Sequence, residues 1–121
     1  MASFKELTVW QKSMDLANEV YILCKRLPKE ETYAISDQMR RAAVSIPSNI
    51  AEGQRRRTPK DFLHFLSIAD GSCAELETQL LLTIRAGMLT EEETGKALSI
   101  LDEVERMLNS LMSAQRLKTN D

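Results

Sequence analysis

Three consecutive arginines, Arg55, Arg56 and Arg57, stand just before Lys60, and a further pair, Arg40 and Arg41, precedes them. Guanidinium groups are planar forks that bind phosphate oxygens in pairs, so a run of arginines in a loop can meet successive phosphates. Such contacts read the nucleic-acid backbone rather than its bases, and they weaken as salt rises. The same cations could instead complement the negative dipole at the end of a helix. Arg40 and Arg41 are about 100° apart on a helix, so at least one of them faces solvent. These six residues are the candidate nucleic-acid contacts.

Other reactive side chains form no recognisable centre. His64 is the single histidine, and Asp61, three residues earlier, shares its helix face. Without a nucleophile that pair reads as a surface hydrogen bond. Cys24, Cys73 and His64 fit no metal-ligand spacing. Glu75 and Glu77 are two apart, point to different faces, and lack the Glu-x-x-His pattern of di-iron bundles. A glycine-rich phosphate loop and a nucleophile elbow are both missing. No catalytic residue, metal or cofactor is expected, and an enzyme is not expected. The two cysteines show no CxxC pairing, the N-terminal MASFKELTVW lacks a secretory apolar core, and no run of about 18 apolar residues could span a membrane. The expectation is a cytoplasmic protein with reduced thiols that pack as small hydrophobes.

The chain must then position the arginines. Its 121 residues suffice for one compact domain, 1–121. Aromatic residues make up only 5%, with four glycines and three prolines, which favours long helices and short connections. Four amphipathic segments follow a 3.6-residue period. In the first, about 8–27, Trp10, Met14, Ala17, Tyr21 and Cys24 form one stripe, widened by Leu16, Val20, Leu23 and Leu27. Thr8 is placed as its cap and Pro28 as its stop. In the second, about 31–53, Ile35, Met39, Ala42, Ile46 and Ile50 stay in phase across Pro47, which predicts one helix kinked at the proline. Ser45, Ser48 and Asn49 are placed to satisfy what Pro47 frees, above all the Ala43 carbonyl. Gly53 is placed as the C-cap.

The third segment, about 58–86, opens with Thr58-Pro59-Lys60-Asp61, a helix start signal. Phe62, Phe65, Ile68 or Ala69, Cys73, Leu76 and Leu80 follow on one stripe, and Leu63, Leu66, Leu81 and Leu82 broaden it. Gly71 should cost about 1 kcal/mol unless a neighbour needs the space. Gly87 ends this segment. Thr90 and Glu93 form a capping box for the fourth, about 90–117, whose stripe is Ala97, Leu101, Val104, Leu108 and Leu111. Lys118–Asp121 should fray. Short links make neighbours antiparallel, so the fold class is all-α, an up-and-down four-helix bundle. Charge is uneven along it: residues 25–60 hold nine cations against four anions, and residues 61–121 five against eleven.

The stretches FKELTVWQKSMDLANEVY, MRRAAVSIPSNIAEG, DFLHFLSIADGS and AELETQL resemble a bacterial four-helix-bundle family that includes proteins encoded by intervening sequences within large-subunit ribosomal RNA genes. The similarity runs from Phe4 to about Leu111. It implies an up-and-down protomer that assembles into a ring-like homopentamer. It also implies distant similarity to the accessory variability protein of diversity-generating retroelements, a basic pentamer that binds a reverse transcriptase and nucleic acid. The net charge of −2 departs from that basic relative. Surplus apolar surface on the first and third segments agrees with a neighbouring subunit.

Two readings stand. One is an oligomeric accessory protein that binds nucleic acid, RNA in particular, through Arg40, Arg41, Arg55, Arg56, Arg57 and Lys60. The other is a protein–protein adaptor that docks a reverse transcriptase or another polymerase, with the acidic half as its docking face. A residual product of a mobile element is a third possibility.

Overall fold

The computed structural model describes residues 3–119. Four long helices occur among them: α1 (Thr8–Cys24), α2 (Asp37–Arg55), α3 (Pro59–Arg85) and α4 (Glu91–Thr119). Consecutive helices pack on one another, and α4 closes the bundle against α1. This is the all-α up-and-down bundle expected from the periodicity. The end expected to fray from Lys118 is helical through Thr119, and residues 120–121 lie outside the described residues.

Leu16, Val20 and Leu23 of α1, Met39, Ile46 and Ile50 of α2, Leu66, Leu76 and Leu80 of α3, and Leu101, Val104 and Leu108 of α4 fill the core. On α1 the first stripe is split: Ala17 and Cys24 are buried in the core, but the whole row is not. The Leu16–Val20–Leu23–Leu27 row enters the core, with Val9 and Ser13, while Met14 and Tyr21 are each 45% exposed. Both rows have helical spacing, so periodicity alone does not choose between them.

Caps explain the boundaries. Thr90 and Glu93 close the reciprocal box: the Thr90 N–H donates to Glu93 Oε1 at 2.9 Å, and the Glu93 N–H donates to Thr90 Oγ1 at 3.0 Å. The Asp61 N–H donates to Thr58 Oγ1 at 3.1 Å, with Pro59 in the first turn. Gly87 takes φ 76°, a left-handed conformation that suits glycine at a helix end. Thr8 is not a cap; Leu7 occupies that position without a side-chain bond, and Ser3 caps the preceding turn, Phe4–Glu6. α1 stops at Cys24 rather than Leu27: Pro28 has no N–H to return to the Cys24 carbonyl, so the helical ladder ends there although Lys25 keeps helical angles. The residues before Pro28 are tied instead by tighter bonds, such as Arg26 N–H to the Leu23 carbonyl.

α2 begins six residues later than expected. A single 3-10 turn (Lys29–Glu31) and a π turn (Thr32–Ser36) precede it, and the non-helical residue is Ala34 (φ −117°, ψ −108°). The helix itself runs through Pro47. Around the proline the polar side chains bond one another. Asn49 Nδ2 donates to the Ser45 carbonyl at 2.8 Å and to Ser45 Oγ at 3.0 Å, and Ser45 Oγ lies 2.8 Å from Ser72 Oγ of α3. The Ser45–Ser72 contact links α2 to α3, none of these bonds reaches the Ala43 carbonyl, and Ser48 is exposed. Gly53 is not a C-cap either: α2 continues to Arg55, and Gly53 is buried against Phe62 and Phe65.

Candidate nucleic-acid interface

The end of α2, the link 56–58 and the start of α3 make one corner of the bundle. Capping by Thr58 keeps the link to three residues, so Arg55, Arg56, Arg57 and Lys60 stay together and exposed. Two of the arginines lie over rings. The Arg55 guanidinium carbon sits 5.7 Å from the Phe4 ring centroid, and that of Arg56 sits 5.2 Å from Phe65. Arg56 also donates to Glu52 at 2.9 Å, one turn back on α2. Phe4 stands edge-on to Trp10 at 5.3 Å, and Phe65 stands edge-on to His64 at 5.2 Å. His64 is exposed, and its ring packs against Phe65 rather than pairing with Asp61 as expected.

The topology adds cations that the residue runs did not reveal. Ser67 Oγ of α3 lies 3.9 Å from Met112 Sδ of α4, which fixes the antiparallel register of the two helices. The last turn of α4 therefore lies beside the start of α3, and it carries exposed Arg116 and Lys118. Lys5, in the turn before α1, belongs to the same end. Applying the up-and-down order to the basic last turn of α4 would have found this pair.

Arg40 and Arg41 are not part of this cluster. Fifteen residues of α2 separate Arg40 from Arg55, about 22 Å along the axis at about 1.5 Å per residue. Arg41 Nε pairs with Asp37 at 3.1 Å. Arg40 is half-buried beside Cys24. Burial pushes the Cys24 thiol up, and the Arg40 charge opposes that rise.

A contrasting surface lies along the α3–α4 seam. Burial raises the Glu105 carboxyl above its ordinary range, and Glu77, Asp70 and Asp102 add to that rise. The neighbouring Cys73 thiol is pushed up to about 12, first by burial and then by Glu105, Asp70 and Glu77. Apolar surface is also left open. Trp10, Met14, Tyr21, Ile22, Val44 and Pro47 line a groove of about 680 Å³ between α1 and α2. On α3, Leu81 and Leu82 are each 50% exposed and Ile68 is 41% exposed. Among the described residues no helix is long and apolar enough to cross a membrane, and no group of His, Cys, Asp and Glu is arranged to hold a metal.

A solved structure described as a protein with unknown function from the S23 ribosomal protein family of Bacteroides thetaiotaomicron VPI-5482 has this fold, with a TM-score of 0.81. It is 30% identical, and the match covers 87% of this chain and 98% of that one. No curated protein matches the chain. Residues 5–110 match the model of a family described as 23S rRNA-intervening sequence protein. With that match spanning nearly all of the bundle, the chain belongs to the 23S rRNA-intervening sequence protein family.

Proposed function

We propose that this protein is a non-enzymatic, self-assembling accessory protein of the cytoplasm that binds RNA through the basic end of its bundle. The observation that carries this reading is the convergence of Arg55, Arg56, Arg57 and Lys60 with Arg116 and Lys118 from a distant helix end. Among the described residues, Glu52 offsets one of these cations by pairing with Arg56. The family description, which ties these proteins to 23S rRNA, supports RNA as the nucleic acid. Arg40 and Arg41 are outside the proposed interface. Self-assembly, pentameric by the resemblance, would cover the α1–α2 groove and the exposed leucines of α3.

Gel shift of a structured RNA at rising salt tests the reading. Affinity should fall with salt, and replacing Arg57 and Lys60 with Glu should abolish the shift while helicity is retained. Binding unchanged by those replacements would refute the assignment. A second reading, an adaptor for a polymerase, is favoured by the carboxylates along the α3–α4 seam, which complement a basic partner surface. Recovery of a protein partner that is lost on replacing Asp70 and Asp102 with Lys would favour it.

A further inference from the structure

We infer that the basic end takes unpaired, single-stranded RNA and stacks its bases, rather than gripping a duplex by its phosphates alone; this rests on the RNA-binding reading above. The ground is the posture of the arginines. Arg55 and Arg56 are laid over Phe4 and Phe65, and Arg56 is held further by its 2.9 Å bond to Glu52. A guanidinium held on a ring has given up part of its freedom to swing toward a phosphate. Its other planar face remains a platform on which a base can stack. The exposed imidazole of His64, set edge-on against Phe65, is a third planar surface at the same corner.

Division of labour follows. Arg55, Arg56 and His64 present planes for bases, and Arg57 and Lys60 meet the phosphates between them. The platforms flank the last turn of α2: Arg55 on the side of the turn before α1, Arg56 on the side of α3. A duplex offers neither surface a base face, because its bases are stacked on one another. The cationic patch is also short. Arg40 and Arg41 lie about 22 Å away along α2, so no long basic stripe is available to follow a double helix.

Fluorescence anisotropy with the full chain tests this. The probes are a labelled oligoribonucleotide without self-complementarity and the same strand annealed to its complement. The single strand should bind about tenfold more tightly. Phe4→Leu, which removes the ring under Arg55 and keeps an apolar side chain, should cost single-strand affinity severalfold and leave the salt slope unchanged. His64→Ala, at an exposed position, should act in the same way without touching the fold. Arg57→Gln should instead lower the salt slope by about one. Equal affinity for strand and duplex, with neither Phe4→Leu nor His64→Ala altering it, would overturn the stacking inference. If binding then still depended on Arg57 and Lys60, phosphate binding would stand without it. Absence of RNA binding altogether would remove both.

Discussion

Gly53 of α2 lies against Phe65 of α3 so closely that a β-carbon on the glycine would sit 2.7 Å from that of the phenylalanine. It would also lie 3.0 Å from Cδ1 of Phe62. The first two turns of α3 can approach α2 only because position 53 has no side chain, and that approach sets the corner that carries the arginines. Gly53→Ala should therefore destabilise by about 1–3 kcal/mol through overpacking. Gly71 lies on an exposed face of α3, and a β-carbon added there would meet nothing within 4 Å. Gly71→Ala should stabilise by about 0.5–1 kcal/mol, since alanine restricts the unfolded chain and favours the helix. Urea titrations of the two variants should shift in opposite directions; a Gly53→Ala midpoint equal to wild type would show that the helices can part without cost.

The bonds among Asn49, Ser45 and Ser72 predict a coupled network. Asn49 is half-buried and donates twice to Ser45. Asn49→Leu should cost more than about 1 kcal/mol, because the Ser45 hydroxyl loses a donor where water enters poorly. Ser72→Ala removes the partner across the helix interface. A double-mutant cycle should return a coupling of at least about 0.5 kcal/mol, and strict additivity would show the two contacts to be independent.

The start signals of α3 and α4 are legible in the sequence itself. Thr58-Pro59 and Thr90–Glu93 carry their own cap chemistry, so the expected and observed bounds of these helices agree to within about two residues. α2 is harder to read. The stripe in phase across Pro47 carries the helix through the proline, as found, but the break before α2 falls at Ala34, a residue type with no breaking tendency of its own. Gly53 shows the same limit: glycine after an apolar stripe reads as a cap, and only tertiary contact reveals that α3 needs its bare face. Arg55, Arg56, Arg57 and Lys60 are adjacent in the chain, so their grouping is visible in it. Arg116 and Lys118 join them only through the topology.

Two carboxylates should respond to pH in opposite senses. Bonds from Thr90 hold Glu93 below its usual 4.5. Its contribution is therefore present above pH 4.5 and lost as pH falls through the lower folded-state value. Burial and three neighbouring carboxylates hold Glu105 above 4.5. A raised carboxyl favours the folded state while protonated, so that contribution is present below pH 4.5 and lost as pH rises through the folded-state value. Glu93→Gln should lower the melting temperature at pH 7 and lose that effect in acid. Glu105→Gln should raise it at pH 7 and lose that effect in acid. Melts of both variants between pH 3 and 7 check the pair; parallel pH profiles would contradict the assigned environments.

Apolar exposure on two separate faces predicts both association and its geometry. Tyr21 and Val44 line the α1–α2 groove, while Leu82 projects from α3. If groove meets groove, the contact is twofold and closes at a dimer; if groove meets α3, the contact is head-to-tail and gives a ring where the rotation between subunits closes. The ring proposed above corresponds to the second case. Light scattering should give a mass several times 13.7 kDa. Val44→Glu and Leu82→Glu should each reduce it to the protomer mass with helicity intact, because both side chains are exposed in the protomer. Leu117→Glu is the control: at 71% exposure on the last turn of α4, it lies away from both faces and should leave the mass unchanged. A wild-type mass of 13.7 kDa would refute assembly. Dissociation by Val44→Glu alone, from a dimer, would replace the ring with a twofold contact.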